Sequence, residues 1–581
     1  MSNERTIPSR AVTDVATFTI LSGGTEVSRA HQVVSIDVAW ELNRVPSATI
    51  VMQDGNAAAE NFEISNKADF EPGKEIEIKA GYRSQEDVIF KGIVIRHSLK
   101  IRESNSLLIV ECRDNAVKMT VGERSKYFTE QKDSEIMEAV ISGAGLQADV
   151  EATSLKHPEV VQYNTTDWDF LLTRADLSGQ LVFVENGKVK TAKPDLNQNP
   201  ILSAVFGSTI LEFDAEIDAR ESFKSVKALG WDAANQEVAE GESQSPLANN
   251  QGNLTADTLA QVVDLEALTL RHPGSVQKPE LQNWANARMQ KSRLAKVRGR
   301  AKFQGTAAVK PGSMVNLEGV GERFTGKVFV AGVRHQIGDG NWKTDVQFGP
   351  DPTWFATRAG ISGASGNGLF PTVQGLQTGI VTALENDPAG EDRIQVRLPL
   401  VSADAAGTWC RLSTLDAGDG RGSYFRPEIG DEVTVGFLGG DPRHPVVLGM
   451  LHSSAKPSPE PAKDDNHLKG FVSRSELKWT FDDEKKIITF ETPGGNKIVL
   501  SDEDSGITLE DQNGNKIVLN SSGIELNSAT DIKVTATAKA EVGGATLALA
   551  GQSSTELKAS GSLKVEASGI AEIKGSLVKI N

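Results

Sequence analysis

The sequence predicts a mainly β protein: β-barrel domains with a few helices, then a smaller barrel, then a three-chain β-helix or β-prism. Three observations carry this prediction. Short β-branched runs broken by Gly, Asn and Pro fill residues 12–120 and recur from 372 to 452. Helical spacing interrupts the strand pattern at three places only. The last hundred residues repeat one phrase, Gly495-Asn496-Lys497-Ile498-Val499-Leu500 and Gly514-Asn515-Lys516-Ile517-Val518-Leu519, and then thin into alternating runs such as 531–542.

From the N-terminus, strands are expected at Val12–Leu21, Val33–Leu42, Ala48–Met52, Glu75–Ala80, Val88–Ile95 and Leu107–Cys112. Their regular spacing suggests a barrel or sandwich. The period then changes. Asp133-Ser134-Glu135-Ile136 leads into Met137, Ala139, Val140 and Ile141 and stops at Gly143 and Gly145, a capped helix with a glycine stop. Thr166-Asp167-Trp168-Asp169-Phe170 opens a second helix, with capping-box chemistry between Thr166 and Asp169 and an end at Gly179. Strand patterning returns at Leu181, and the polar segment 235–253 reads as a surface loop. A third helix runs from Pro279 to about Arg298, with Leu281, Trp284, Ala285 and Met289 at helical spacing. Its basic residues lack interleaved aromatics and read as a solvated face. Strands follow to Phe348, and the Gly- and Ser-rich stretch 359–368 reads as a flexible connector.

Five more strand candidates, Thr378–Leu384, Arg393–Leu398, Trp409–Leu412, Glu432–Phe437 and Pro445–Met450, match the size of an OB-fold barrel. Ser453–His467, rich in Pro, Ser, Lys and Asp, reads as a linker. Beyond it apolar and polar residues alternate, the mark of half-buried strands. After Phe490 the chain has no aromatic, Cys, His, Arg or Met residue. Such narrow strands cannot close a core alone; repetitive β units bury their inner faces by stacking on neighbours. Here the neighbours are expected to be identical chains, and Ala536, Ala538 and Ala540 would keep the prism thin.

At 581 residues the chain has room for several domains. Its 78 acidic residues against 61 basic ones give a net charge of −17. That charge argues against a nucleic-acid partner, which needs a basic surface, and against lasting attachment to anionic lipid. Cys112 and Cys410 lie in different expected domains, so no disulfide framework is expected, in keeping with a reducing cytoplasm. Met1–Thr6 holds no apolar segment of a signal peptide, and no apolar run is long enough to span a bilayer. Export by a route other than general secretion is therefore expected if the protein acts outside its cell.

One stretch is distinctive. Pro427-Glu428-Ile429-Gly430-Asp431-Glu432-Val433-Thr434-Val435-Gly436-Phe437, continuing through Gly440-Asp441-Pro442-Arg443-His444-Pro445 to Gly449, resembles the OB-fold signature of VgrG-type spike proteins of contractile injection systems. In the same order along the chain, Thr166–Gly179 is similar to the family's Trp-Asp-Phe-Leu helix. Pro311–Val315 with Phe324 and Val330–His335 resembles the strands that close its hub. Gly368–Pro371 through Gly379–Thr382 resembles the entry to its barrel. The resemblance covers nearly the whole chain. Its motif residues Pro427, Gly430, Asp431, Gly440, Asp441, Pro442, Pro445 and Gly449 read as structural: the two turn glycines sit where positive φ is needed, and Asp441-Pro442 starts a turn.

The resemblance implies a hub over 1–358, a linker over 359–371, an OB-fold collar over 372–452, a second linker over 453–469 and a trimeric needle over 470–581. It implies a homotrimer with a pseudo-hexameric hub that seats inner-tube and baseplate proteins. The particle would be a phage tail, a type VI secretion machine or an extracellular injector, assembled in the cytoplasm and acting outside the cell. The needle would touch a target membrane transiently and help deliver effector cargo. A PAAR-type tip protein would cap Leu577, Val578, Lys579, Ile580 and Asn581.

No catalytic residue, cofactor or metal ligand is expected. Gly321-Glu322-Arg323-Phe324-Thr325-Gly326-Lys327-Val328 nearly spells a phosphate loop, but Val328 replaces the hydroxyl that would hold magnesium, and a strand follows. Asp511-Gln512-Asn513-Gly514-Asn515 hints at a calcium loop, lacks the distal glutamate, and reads as an Asn-Gly turn. The carboxylates at 482–484 and 502–504, a conceivable glycosidase pair, read as solvated turns. The eight histidines form no pair at metal-ligand spacing. Two other classes fit less well. A tail-associated lysozyme has no room in 453–467, and a polysaccharide lyase would need basic groups that the tail lacks. A receptor-binding tail fibre would end in an aromatic-rich head.

Overall fold

The computed structural model describes residues 6, 15–232, 235, 237–244, 247–272, 276–358, 373 and 375–580. The expected linker 359–371 and the first residues of the strand expected at Val12 lie outside the described residues. Up to Phe348, thirteen strands form one sheet that carries two cores, and the other strands pair in three smaller sheets. The first part of the large sheet, Ala16–Ser22, Val33–Glu41, Ser47–Gln53, Glu75–Tyr82, Gln85–Ile101 and Ser106–Arg113, is antiparallel throughout. Alternate residues point to one side, and Ile36, Val38, Ile50, Met52, Ile78, Phe90, Leu108 and Val110 pack there as one core. The second part surrounds Ala301, Phe303, Val315, Val330, Val346 and Phe348.

The strand Gly326–Gly338 joins the two parts, pairing with Val33–Glu41 on one side and Asn341–Phe348 on the other. The turn after it reaches the outer strand of the first part. Ala16 N donates to Gly340 O at 3.1 Å, and Tyr82 stacks on Trp342 at 5.6 Å.

Helices α1 (Asp133–Gly143) and α2 (Asp167–Leu177) pack around Ile136, Met137, Phe170 and Leu171. The start of α2 is the one expected: Thr166 Oγ1 accepts from Asp169 N at 3.1 Å and donates to the Asp169 carboxylate at 2.8 Å. Helix α1 is capped differently. The N–H of Lys132 donates to Glu135 at 2.8 Å, which leaves the Asp133 side chain free to turn inward.

Three expectations need correction. Helix α3 (Ala256–Val263) was not expected, although Thr255 Oγ1 caps it by accepting from Thr258 N at 3.0 Å. Helix α4 spans Lys278–Leu294 and stops short of Arg298, because Arg298 opens a strand of the second core. The segment 235–253 is not all loop: Glu237–Glu242 is a strand paired with Val226–Asp232. Its inward positions are Ala239 and Gly241, too small to show as an apolar alternation. They are small because α4 lies against them; a Cβ on Gly241 would stand 2.5 Å from Gln282 N.

Five strands, Gln377–Ala383, Ile394–Arg397, Thr408–Leu412, Glu432–Phe437 and Pro445–Met450, close a barrel as expected. Val381, Ile394, Val396, Cys410, Val433, Val435 and Val447 are its buried residues. In the tail, seven five-residue strands from Leu468–Val472 to Gly523–Asn527 form an antiparallel meander. Beyond Asn527 the described residues up to Ile580 form no ladder and carry only bends, so the run 531–542 is no paired strand within one chain. An extended segment with no second segment of its own chain beside it has no partner for its backbone groups.

Candidate assembly surfaces of the barrel and tail

The barrel motif residues fall into two turns. In the first, Glu428 N donates to Asp431 Oδ2 at 2.9 Å, and Gly430, at φ 87°, donates its N–H to Val381 O at 2.8 Å. Lys456, from the segment after the barrel, donates to Gly430 O at 2.6 Å and to Asp431 Oδ1 at 3.1 Å. Pro427 leads into this turn. The second turn holds Gly440 (φ 73°), Asp441 and Pro442. The Asp441 carboxylate accepts from Arg443 N at 2.9 Å and from both sides of its guanidinium at 2.6 and 3.0 Å. Chiefly through that side-chain bond, the Asp441 carboxyl is held down to about 2. Pro445 opens the last barrel strand. Gly449 has no local steric reason, since a Cβ there meets nothing within 4 Å.

From the barrel an aromatic ladder enters the tail. Phe425 stacks on Phe471 at 5.3 Å, Phe471 on Trp479 at 5.6 Å and Trp479 on Phe490 at 5.6 Å. Arg474 pairs with Glu428 at 2.9 Å beside it. No expectation from the sequence covers these residues; their signal there is the spaced aromatics 471, 479, 481 and 490 just before the repeated phrase.

Beyond them the ladder turns aliphatic. Cross-strand partners Phe490, Ile498, Leu509, Ile517 and Leu526 form one column, and Ile488, Leu500, Ile507, Leu519 and Ile524 a second. Each strand gives the second and fourth of its five residues to this face, the consequence of a period of two. The first column lines a trough of about 700 Å³. The opposite face carries Val499, Thr508 and Val518, flanked by Lys497, Glu510 and Lys516. Leu500, Ile507, Leu509 and Ile517 are 37–39% exposed and Ile524 74%. A contiguous apolar face of this extent marks a surface that is covered in use.

From Ala529 to Ile580 every residue is exposed. Leu577, Val578, Lys579 and Ile580 close this stretch together; Asn581 lies outside the described residues.

Among the described residues, no group of three His, Cys, Asp or Glu stands close enough to hold a metal ion. A polar cluster binds helices α1 and α2 together instead. Asp133 accepts from Arg174 Nε at 2.7 Å and Ser178 Oγ at 3.1 Å, and meets His157 Nε2 at 3.1 Å. Burial pushes this carboxyl up, but the bonds to His157 and Arg174 outweigh it and leave it below the ordinary range. With Asp133 and His157 almost wholly enclosed, the cluster ties α1 to α2.

His335, buried against Thr344 Oγ1 at 3.1 Å, is pushed down to about 4 by that burial. Both cysteines are buried and form no disulfide, and burial drives the Cys112 thiol up to about 12. Gly326 starts a strand, so the 321–328 stretch has no helix to cradle phosphate. Asp511 accepts from Asn513 N at 2.9 Å and Asn515 N at 2.8 Å, filling its oxygens as a turn does, with Gly514 at φ 86°. Asp483 pairs with Lys469. Among the described residues, no helix is long and apolar enough to cross a membrane.

Comparison with known proteins adds to this geometry. Residues 377–452, the closed barrel, match the Type VI secretion system/phage-baseplate injector OB domain. Residues 487–580, which hold most of the two-column face, match the phage baseplate V C-terminal trimerisation domain. The chain is 35% identical over 96 residues to the type VI secretion system spike protein VgrG4b of Pseudomonas aeruginosa, covering 15% of this chain and 12% of that protein. To VgrG1a of the same organism it is 31% identical over 112 residues, 18% of this chain and 17% of that one. It therefore spans under a fifth of the length of these relatives. The 43 kDa tail protein of prophage MuSo2 from Shewanella oneidensis is a structural neighbour with TM-score 0.45 and 12% identity, covering 58% of this chain and 98% of that one. Residues 12–339, more than half the length, match the family described as the Alg8 N-terminal domain, and the chain belongs to that family, with a phage-baseplate injector OB domain and a baseplate trimerisation domain following it.

Proposed function

We propose that this chain is the homotrimeric hub and spike of a contractile injection machine, joining an inner tube to a membrane-puncturing needle and helping to deliver effectors. The observation that carries the reading is the tail's two-column apolar face. It is uncovered in one chain and lies largely within residues that match a trimerisation domain. Three copies would cover it. In this reading residues 1–358 are the hub for tube and baseplate, 372–452 the collar and 470–581 the needle, with linkers at 359–371 and 453–469. The barrel motif from Pro427 to Gly449 serves the collar's shape.

The task is mechanical, with no catalysis by the chain itself. A sheath supplies the work, and the spike must stay rigid and narrow, which interlocked strands achieve because bending breaks many ladder bonds together. A PAAR-type protein would cap Leu577–Asn581, and the particle would act on a target envelope outside the cell.

Sedimentation of the full chain tests the assembly. A mass three times 62.3 kDa is expected, and a stable monomer at micromolar concentration would overturn the reading. Truncation before Leu577 should abolish cap binding; a cap that still bound would refute its placement. Turnover of purified cell envelope by the trimer would show that the spike is also an enzyme.

A further inference from the structure

The last thirty residues carry a repeat of eight. Backbone bends fall at 552–553, 560–561, 568–569 and 576–577. Between them the sequence keeps the same period: Glu556-Leu557-Lys558, Lys564-Val565-Glu566 and Glu572-Ile573-Lys574. The two charges of each triplet, two residues apart, lie close enough to pair, which sets them on one side and the apolar residue between them on the other. The charges touch within each triplet: Glu556 meets Lys558, Glu566 meets Lys564 and Glu572 meets Lys574, all exposed. The order of signs reverses from one repeat to the next. Down the first position it reads minus, plus, minus; down the third, plus, minus, plus.

We propose that this alternation is the device by which one copy of the chain sets its register against the next in the needle. The inference rests on the trimer reading above. In a three-fold assembly, equivalent residues of the three copies lie at one height. When each eight-residue repeat carries its chain to the next face, a repeat of one copy lies beside the following repeat of its neighbour. Adjacent strands are about 4.7–4.9 Å apart. Glu556 of one copy then stands beside Lys564 of the second, and Lys564 of the second beside Glu572 of the third. Lys558, Glu566 and Lys574 pair with the opposite signs.

The apolar column cannot set register. Leu557, Val565 and Ile573, 64%, 80% and 76% exposed in one chain, supply attraction, but slipping by a whole repeat only exchanges one for another. The same slip sets Glu against Glu and Lys against Lys, which directly opposed strands disfavour. Attraction and register thus come from opposite sides of the same segment.

Two variants of the full chain test this at unchanged composition. The first swaps the middle triplet, Lys564→Glu with Glu566→Lys. The second swaps all three triplets, adding Glu556→Lys, Lys558→Glu, Glu572→Lys and Lys574→Glu. Both keep every opposite-charge contact within a triplet; only the first puts like charges beside each other between copies. The middle swap should weaken trimer association about tenfold or more, from several like-charged cross-strand pairs. The loss should shrink in about 1 M salt, where screening acts within roughly 3 Å. The full swap should return to wild-type stability. A middle swap as stable as wild type, or a full swap as weak as the middle one, overturns the proposal while leaving the trimer standing. A wild-type chain that sediments as a monomer overturns the trimer reading and the proposal with it.

Discussion

Leu509 gives the sharpest test of the uncovered face. It sits between Ile498 and Ile517 in the column that lines the trough, and it is 37% exposed in one chain. Burying a leucine fully stabilises by about 1.5–3 kcal/mol, so roughly a third of that, about 1 kcal/mol, is still to be gained when another copy covers the column. Leu509→Ala removes this from each of three chains, or about 3 kcal/mol from the assembly, which corresponds to roughly a hundredfold in the association constant. Thr508, one residue away, points to the opposite face, where it pairs with Val499 and Val518. Thr508→Ala should stay within about 0.5 kcal/mol of wild type. Native mass spectrometry across a dilution series reads both. A Leu509→Ala trimer that dissociates at the wild-type concentration, or a Thr508→Ala trimer weakened equally, would refute burial of this column between copies.

Three further outcomes follow from the polar contacts. The Asp441 carboxyl, held near 2 by Arg443 against an unfolded value of about 3.9, stabilises the barrel above that unfolded value, and this contribution is lost as pH falls toward 2. Asp441→Asn should therefore flatten the acid limb of thermal melts between about pH 4 and 2. Asp133→Ala leaves Arg174 and His157 buried without their carboxylate and should cost about 3–5 kcal/mol in urea unfolding. Lys296 donates to the carbonyls of Asn249, Gln251 and Leu254 at 2.7, 2.6 and 3.1 Å. Lys296→Met should cost about 1–3 kcal/mol and speed amide exchange across residues 249–254.

Much of the architecture was legible wherever one residue type served one purpose. The five barrel strands and the Thr166–Asp169 cap were read correctly because alternation and capping are local rules, satisfied within a few residues. The strand Glu237–Glu242 escaped because its inward residues were chosen by contact with α4, a partner forty residues away, and that contact selects glycine and alanine. Asp133 was grouped with the start of α1, yet its side chain belongs to a network completed by His157, Arg174 and Ser178 from later elements. Nothing local marks such a role. The aromatic ladder from Phe425 to Phe490 shows in the sequence only as spaced aromatics, because its stacking joins a loop to three strands.

The sequence by itself determined the strand-rich class, the five-stranded barrel with the repetitive tail after it, and the need of that tail for partners. These are properties of period and composition, which any short window displays. Only the tertiary structure decided that one long strand serves two cores of the N-terminal sheet and which two residues of each tail strand face the same side. It also showed that the tail's meander ends at Asn527. Those facts depend on hydrogen-bond register and on packing between distant segments, which are settled when the chain folds and are not written in any one stretch of it.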